Sequence, residues 1–163
     1  MATRAQNHNR GGRPGRSRLN VVTAANILNS LAGGAYVRTA CQFAGIHHTT
    51  YGLWRRRGED ETERVNSLGL DAGDLITGVA MKDHDGTQRS VGFADMVAAR
   101  PEPFDEIEWP YVVFLFLSEK SRATAEIRNL QIIQTAAGDT WQAAAWILER
   151  THPELYGRRE RIN

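Results

Sequence analysis

Between Tyr36 and Trp54 the stretch YVRTACQFAGIHHTTYGLW allows few folds. It has the form helix, tight turn, helix, with Gly45 at the corner and apolar residues placed where two steeply crossing helices must touch. Ala40, Cys41 and Ala44 fall on the inner face of the first helix, where small side chains let the second approach, and Ile46 follows the turn as a core plug. Tyr51 and Trp54 lie three apart on one face of the second helix. His47, His48, Thr49, Gly52, Leu53 and Arg56 are left on or beside the other face. That outward set is what a helix-turn-helix presents to the DNA major groove. An ordinary αα-hairpin in a helical core is the alternative.

The residues before this stretch extend the unit. Asn20 can cap a helix whose Ala24, Ile27, Leu28 and Leu31 follow the i, i+3, i+4, i+7 spacing, with Leu19 packing back onto its first turn. Gly33 and Gly34 end it, which gives a three-helix unit over 20–58. Gly52 within the reading helix lets the backbone come close to DNA, at a helix-stability cost of about 1 kcal/mol.

Charge argues for the DNA reading over the plain hairpin. From Met1 to Gly58 there is no acid, and nine arginines (Arg4, Arg10, Arg13, Arg16, Arg18, Arg38, Arg55, Arg56 and Arg57) are spread across the segment. Beyond it, eleven Lys and Arg face all nineteen acids, a net of −8 hidden in an overall charge of +1. A basic head on an acidic body suits a nucleic-acid reader that must not adhere along its whole surface. A solubilising tail would explain Arg4 to Arg18, but not the absence of acids through the helices. Residues 1–19 form a polar, Gly-rich arm expected to be disordered. Its Gly12 to Arg16 run is similar to an AT-hook core, with Arg13 and Arg16 available to a minor groove, although a non-specific phosphate-binding arm is favoured.

Residues 59–108 differ in kind, with thirteen acids against four basic residues and repeated glycines. The charged run EDETERV either prolongs the reading helix or breaks from it at Gly58. LITGVAM and TQRSVGF flank Lys82-Asp83-His84-Asp85-Gly86, and Asp-Gly between β-prone runs predicts a small β-hairpin. The same five residues look like part of a calcium loop but lack its later ligands, so a plain turn is expected. Phe93 to Ala99 suits a short helix stopped by Pro101 and Pro103.

Pro110 suits the first turn of a helix running to Ala137, about 40 Å long. Val113, Phe116, Ala123, Ile127, Leu130, Ile133 and Ala137 trace a stripe along it, and its first two turns are apolar nearly all round. So much apolar surface needs partners, and self-association is the economical way to cover it, with burial under the inserted hairpin as the alternative. Gly138 is expected to end this helix before another, Trp141 to His152, whose Ala143, Ala144 and Ala145 permit close packing. Residues 109–156 therefore make a helical oligomerisation domain, followed by a basic tail at 157–163. The predicted fold is mainly α: a helix-turn-helix domain, a β-hairpin insertion and long C-terminal oligomerisation helices.

Cys41 is the only cysteine, so no intrachain disulfide or thiolate metal cluster can form. No apolar segment follows the basic N-terminus as a signal-peptide core, and the longest apolar run, Tyr111 to Leu117, is too short to cross a bilayer, so a soluble intracellular protein is expected. No GxxxxGK[ST] loop, HExxH or close His/Cys set is present, so neither an enzyme nor a metal or cofactor is expected.

Taken together, Gly12-Arg13-Pro14, then Gly45-Ile46 with Thr50-Tyr51 and Trp54, then AEIR at 125–128, and WQAAAWILERTHPELYGRR at 141–159, resemble the order found in helix-turn-helix small terminase subunits of tailed bacteriophages. The resemblance covers 20–58 and 109–159 but not the acidic insertion. It implies a non-catalytic packaging component in the cytoplasm of the infected bacterial host. Such subunits form homo-oligomeric rings, recognise double-stranded viral DNA and deliver it to the large terminase subunit carrying ATPase and nuclease. Carried onto this chain, His47, His48, Thr49, Gly52 and Arg56 would face the DNA, Arg55 and Arg57 its phosphates, and the helix from Pro110 would build the ring. Arg38, Arg13 and Arg16 complete the expected DNA-binding set. The adjacent histidines would strengthen binding below about pH 6.5 by adding charge. A dimeric helix-turn-helix transcription regulator is the runner-up, and a structural interaction protein that no longer reads DNA is the third possibility.

Overall fold

The computed structural model describes residues 19–80, 92–151 and 153–156, which form eight α-helices. Helix α1 (Val21–Ala32) begins where Thr23 N–H donates to Asn20 Oδ1 at 2.8 Å, and it buries Ala24, Ile27, Leu28 and Leu31. Gly34 takes φ +91° in the turn to α2 (Val37–Phe43), whose Ala40 and Cys41 are fully buried. Gly45, at φ +73°, makes the corner before α3 (His48–Ser67), since a side chain there would be strained. Ala44 and Ile46 pack against the core beside it.

Helix α3 is where the architecture departs most from local expectation. It does not break at Gly58 but runs for 20 residues, burying an edge made by Tyr51, Trp54, Gly58, Glu61 and Val65 at steps of three and four. The boundary expected between residues 58 and 59 thus lies inside one helix. Gly58 is buried because α6 (Trp109–Asp139) crosses there: a Cβ at this position would stand 2.5 Å from the Tyr111 carbonyl oxygen. Glycine removes that obstacle, and the backbones meet.

The expected β-hairpin is not formed by the described residues. LITGVA lies in α4 (Ala72–Ala80), which buries Ala72, Ile76 and Val79 on one helical edge, and no strand occurs among the described residues. The Asp85-Gly86 turn and the first part of TQRSVGF lie outside them. Helix α5 (Phe93–Ala98) follows as expected, with Asp95 accepting from Gly92 N–H at 3.3 Å.

Helix α6 has 31 residues, about 46 Å, and carries the core on its first half. Phe114 receives the rings of Tyr51 and Trp54 edge-on, each at 5.5 Å between centroids. Trp109 is buried against Phe104, with centroids 4.9 Å apart, and its indole N–H donates to the Met96 carbonyl at 2.9 Å. The apolar first turns of α6 are therefore covered within the chain by α1, α3 and α5. This corrects the expected subunit-facing stripe: Val113 is fully buried in the protomer and Phe116 packs against the same core. Tyr51, Trp54 and Gly58 of α3 supply part of that cover, while the prolonged part of α3 holds the loop before α6 through Glu61 to Asp105 and Arg64 to Pro103. Ala123, Ile127 and Leu130 remain exposed and Ile133 partly so. Helix α6 passes through Gly138 to end at Asp139, and α7 (Trp141–Thr151) and the short α8 (Pro153–Tyr156) follow, α7 folding back on α6.

One charged group sits in this interior. Glu61, 5% exposed, accepts from Arg64 Nε and Nη2 and from Asp105 N–H, all at 2.7 Å, which ties α3 to the loop before α6. The Arg64 guanidinium holds the Glu61 carboxyl below its ordinary range, against the opposing effect of burial.

Candidate nucleic-acid interface

The buried edge of α3 fixes which side chains point away from the protein. At 3.6 residues per turn, Thr49, Gly52, Leu53 and Arg56 fall within about 60° of the direction opposite that edge. All four are exposed, and so is His48 on the flank. From His48 to Arg56 this face spans about 12 Å, close to the width of a B-DNA major groove. Apart from its chain neighbours and the backbone of α3 itself, no heavy atom of the described residues lies within 4 Å of the position a Gly52 Cβ would occupy, so this side of the helix is open.

The three consecutive arginines have different surroundings. Arg57 is held in a two-pronged pair with Glu108, at 2.8 and 2.6 Å, and its guanidinium lies 3.7 Å from the Tyr111 ring centroid. The carboxylate raises its pKa, so its charge is matched inside the protein. Arg55 pairs with Glu59 at 3.2 Å and with Glu119 on α6 at 2.9 Å. Arg56, between them, is exposed and has no ion-pair partner among the described residues, and the same holds for Arg38 on α2. The expected assignment of Arg55 and Arg57 to phosphates thus meets an arrangement in which both clamp α3 onto α6. Arg38 and Arg56 hold the uncommitted charge, while Arg13 and Arg16 lie outside the described residues.

The two histidines also differ. His47 is the N-cap of α3: its Nδ1 accepts from Thr49 N–H at 3.4 Å and lies 2.9 Å from the Thr49 hydroxyl. His48 stands beside it with ring centroids 4.2 Å apart. Through that cap the His47 ring is committed to the start of the helix, while His48 is left at the flank of the outward face.

Past Arg56 the exposed face changes sign. Glu59, Asp60 and Glu63 follow on the solvent side of α3, so the surface suited to DNA is confined to its first turns. Sequence reasoning did not find Glu108 and Glu119 as internal partners of the arginines, which are 51 and 64 residues away in the chain. Only the Arg55 to Glu59 step, four residues on one helix, carried a local signal.

A second surface lies on the far half of α6 and on α7. Ile127, Ile132, Trp141 and Trp146 are exposed there, and a groove of about 380 Å³ opens between the α1–α2 turn and these helices, bordered by Leu31, Ala35, Leu130, Ile133 and Trp146. Arg128 of α6 donates to the Gly33 carbonyl at 3.0 Å, which ties α6 to the end of α1. No helix among the described residues is long and apolar enough to cross a membrane. Comparison with protein-family models, curated proteins and solved structures gave no match.

Proposed function

We propose that this protein is a non-catalytic DNA-binding adaptor of the small-terminase kind, which recognises double-stranded viral DNA as a homo-oligomeric ring and hands it to a large subunit bearing ATPase and nuclease. The observation that carries the reading is the outward face of α3. Unpaired Arg56 stands with Thr49 and open Gly52 on the first turns after a glycine corner, while the flanking arginines are neutralised internally. An αα-hairpin serving only the core has no need of that separation. The exposed apolar residues of α6 and α7 offer the contact between subunits, and several modest reading heads on one assembly raise avidity without tight single contacts. The order of motifs along the chain supports the packaging role over other oligomeric DNA binders.

Two measurements test the proposal. Native mass spectrometry of the nucleic-acid-free protein should give one closed species of many subunits; a discrete dimer would favour a transcription regulator. Retention of duplex DNA should fall steeply with salt, and the Arg38→Ala, Arg56→Ala double variant should lose most of it. A flat salt response, or full retention by that variant, would remove DNA from the reading.

A further inference from the structure

The reading face of α3 contains an apolar side chain where base edges would lie. Leu53 is 64% exposed and sits next to Gly52, whose missing side chain lets the helix come nearer to a partner at that point. Hydrogen-bonding capacity around it is small: the Thr49 hydroxyl is engaged by His47 Nδ1, and Gly52 offers no side chain. Arg56, one turn on, is the uncommitted donor of this face, with His48 at its flank. In the major groove the base edges present mainly donors and acceptors, and the one bulky apolar group among them is the C5-methyl of thymine, the C5–H of cytosine offering far less surface. Leucine pressed against a donor or acceptor would strip water from a polar group and give nothing back.

We infer that Leu53 is a specificity-determining residue that selects thymine by contact with its C5-methyl group, with Arg56 reading a guanine one or two base pairs away. The inference rests on the proposed DNA reading and adds to it the base chemistry of the preferred site. Gly52 supports it by allowing close approach, and Leu53 is not needed for the core, so its replacement leaves the fold unchanged.

The test uses the full-length protein and duplexes enriched by it from a random pool, resynthesised with deoxyuridine in place of thymine, which deletes only the methyl groups. Wild-type protein should bind the deoxyuridine duplex about fourfold more weakly per contacted methyl, the equivalent of one buried methylene. Leu53→Ala should bind the thymine duplex more weakly by a similar factor and should no longer distinguish it from the deoxyuridine form, closing a double-mutant cycle. Equal binding of both duplexes by the wild type, discrimination that survives in Leu53→Ala, or enrichment of no preferred sequence would each overturn the inference while leaving salt-sensitive DNA binding in place. Failure of the wild type to retain any duplex at low salt would overturn the DNA reading itself.

Discussion

Two glycines six residues apart on α3 predict opposite responses to the same substitution. Replacing either by alanine removes backbone freedom from the unfolded chain and adds helix propensity, a gain of about 1 kcal/mol at an open site. Gly52 is such a site, with nothing within 4 Å of a Cβ, so Gly52→Ala should be stabilising by about that amount. At Gly58 the new methyl would lie 2.5 Å from the Tyr111 carbonyl oxygen, 2.9 Å from its carbon and 3.1 Å from Leu115 Cβ. The first two atoms are backbone within a 31-residue helix and cannot rotate away. Ordinary contact requires α3 and α6 to separate by about 0.9 Å, which loosens the Tyr51 and Trp54 contacts with Phe114 as well. Overpacking of this kind costs about 3 kcal/mol at its upper end, which leaves a net loss of about 2 kcal/mol after the propensity gain. The two variants should therefore differ by about 3 kcal/mol. Urea denaturation at one fixed protomer concentration reads this as midpoints about 1.5 M apart for a slope of about 2 kcal/mol/M. A Gly58→Ala midpoint at or above that of the wild type would refute the helix crossing at Tyr111.

Other consequences separate stability from binding. Arg57→Ala should cost about 1–2 kcal/mol by leaving Glu108 without its partner, whereas Arg56→Ala should stay within about 0.5 kcal/mol of wild type in stability and, as the proposed guanine reader, weaken binding to the preferred duplex by about 1–3 kcal/mol while relaxing the preference at that position. Because the Arg64 guanidinium holds the folded Glu61 carboxyl below the ordinary carboxylate range, its contribution to stability is complete above that range and is lost as pH falls through the lowered folded value. Denaturation midpoints measured from pH 7 down to pH 3 should thus fall less for Glu61→Gln than for wild type, from a lower starting stability. Charges placed at Ile127 and Ile132, both exposed, should reduce the subunit number in native mass spectrometry while leaving far-UV circular dichroism unchanged; an unaltered assembly would move the subunit contact elsewhere.

Local signals carried the N-terminal unit well, because each rested on chemistry within a few residues. Asn20 caps α1, Ala24 to Leu31 bury the expected edge, Gly45 turns the corner, and Tyr51 and Trp54 enter the core. Gly58 was harder, since propensity registers only the local cost of a helical glycine and not the distant Tyr111 backbone that needs the space. In residues 72–80 two signals competed: the i, i+4, i+7 spacing of Ala72, Ile76 and Val79 favoured a helix, and the Asp-Gly pair downstream favoured a hairpin. The helical period holds because that edge is buried. The all-apolar start of α6 points to self-association when read locally, because sequence cannot say whether a partner comes from the same chain, and here α1, α3 and α5 provide the cover instead. The pairing of Arg57 with Glu108 spans 51 residues and had no local trace, so three adjacent arginines looked alike when only the middle one is uncommitted.

On the proposed DNA reading, the change of sign along α3 limits how this helix would meet a duplex. Its first turns carry Arg56, which meets base edges in the proposed complex, and the positive end of the helix dipole, which favours phosphate oxygens. One turn later Asp60 and then Glu63 occupy the same outward face, and each would repel a phosphate brought within a few ångströms. A duplex lying along the whole of α3 is thus disfavoured, and one approached by the N-terminal end is not. The acidic half is also where α3 is locked by Glu61, Arg64 and the Gly58 crossing, so the tip is held rigidly while its charge faces outward. Reversing Asp60 and Glu63 to lysine should consequently raise affinity for any duplex and weaken sequence preference, because a helix lying flat in the groove no longer aims Leu53 and Arg56 at particular bases. If these reversals strengthen binding but leave the preference intact, the tip alone fixes the docking angle and the acids play no part in it.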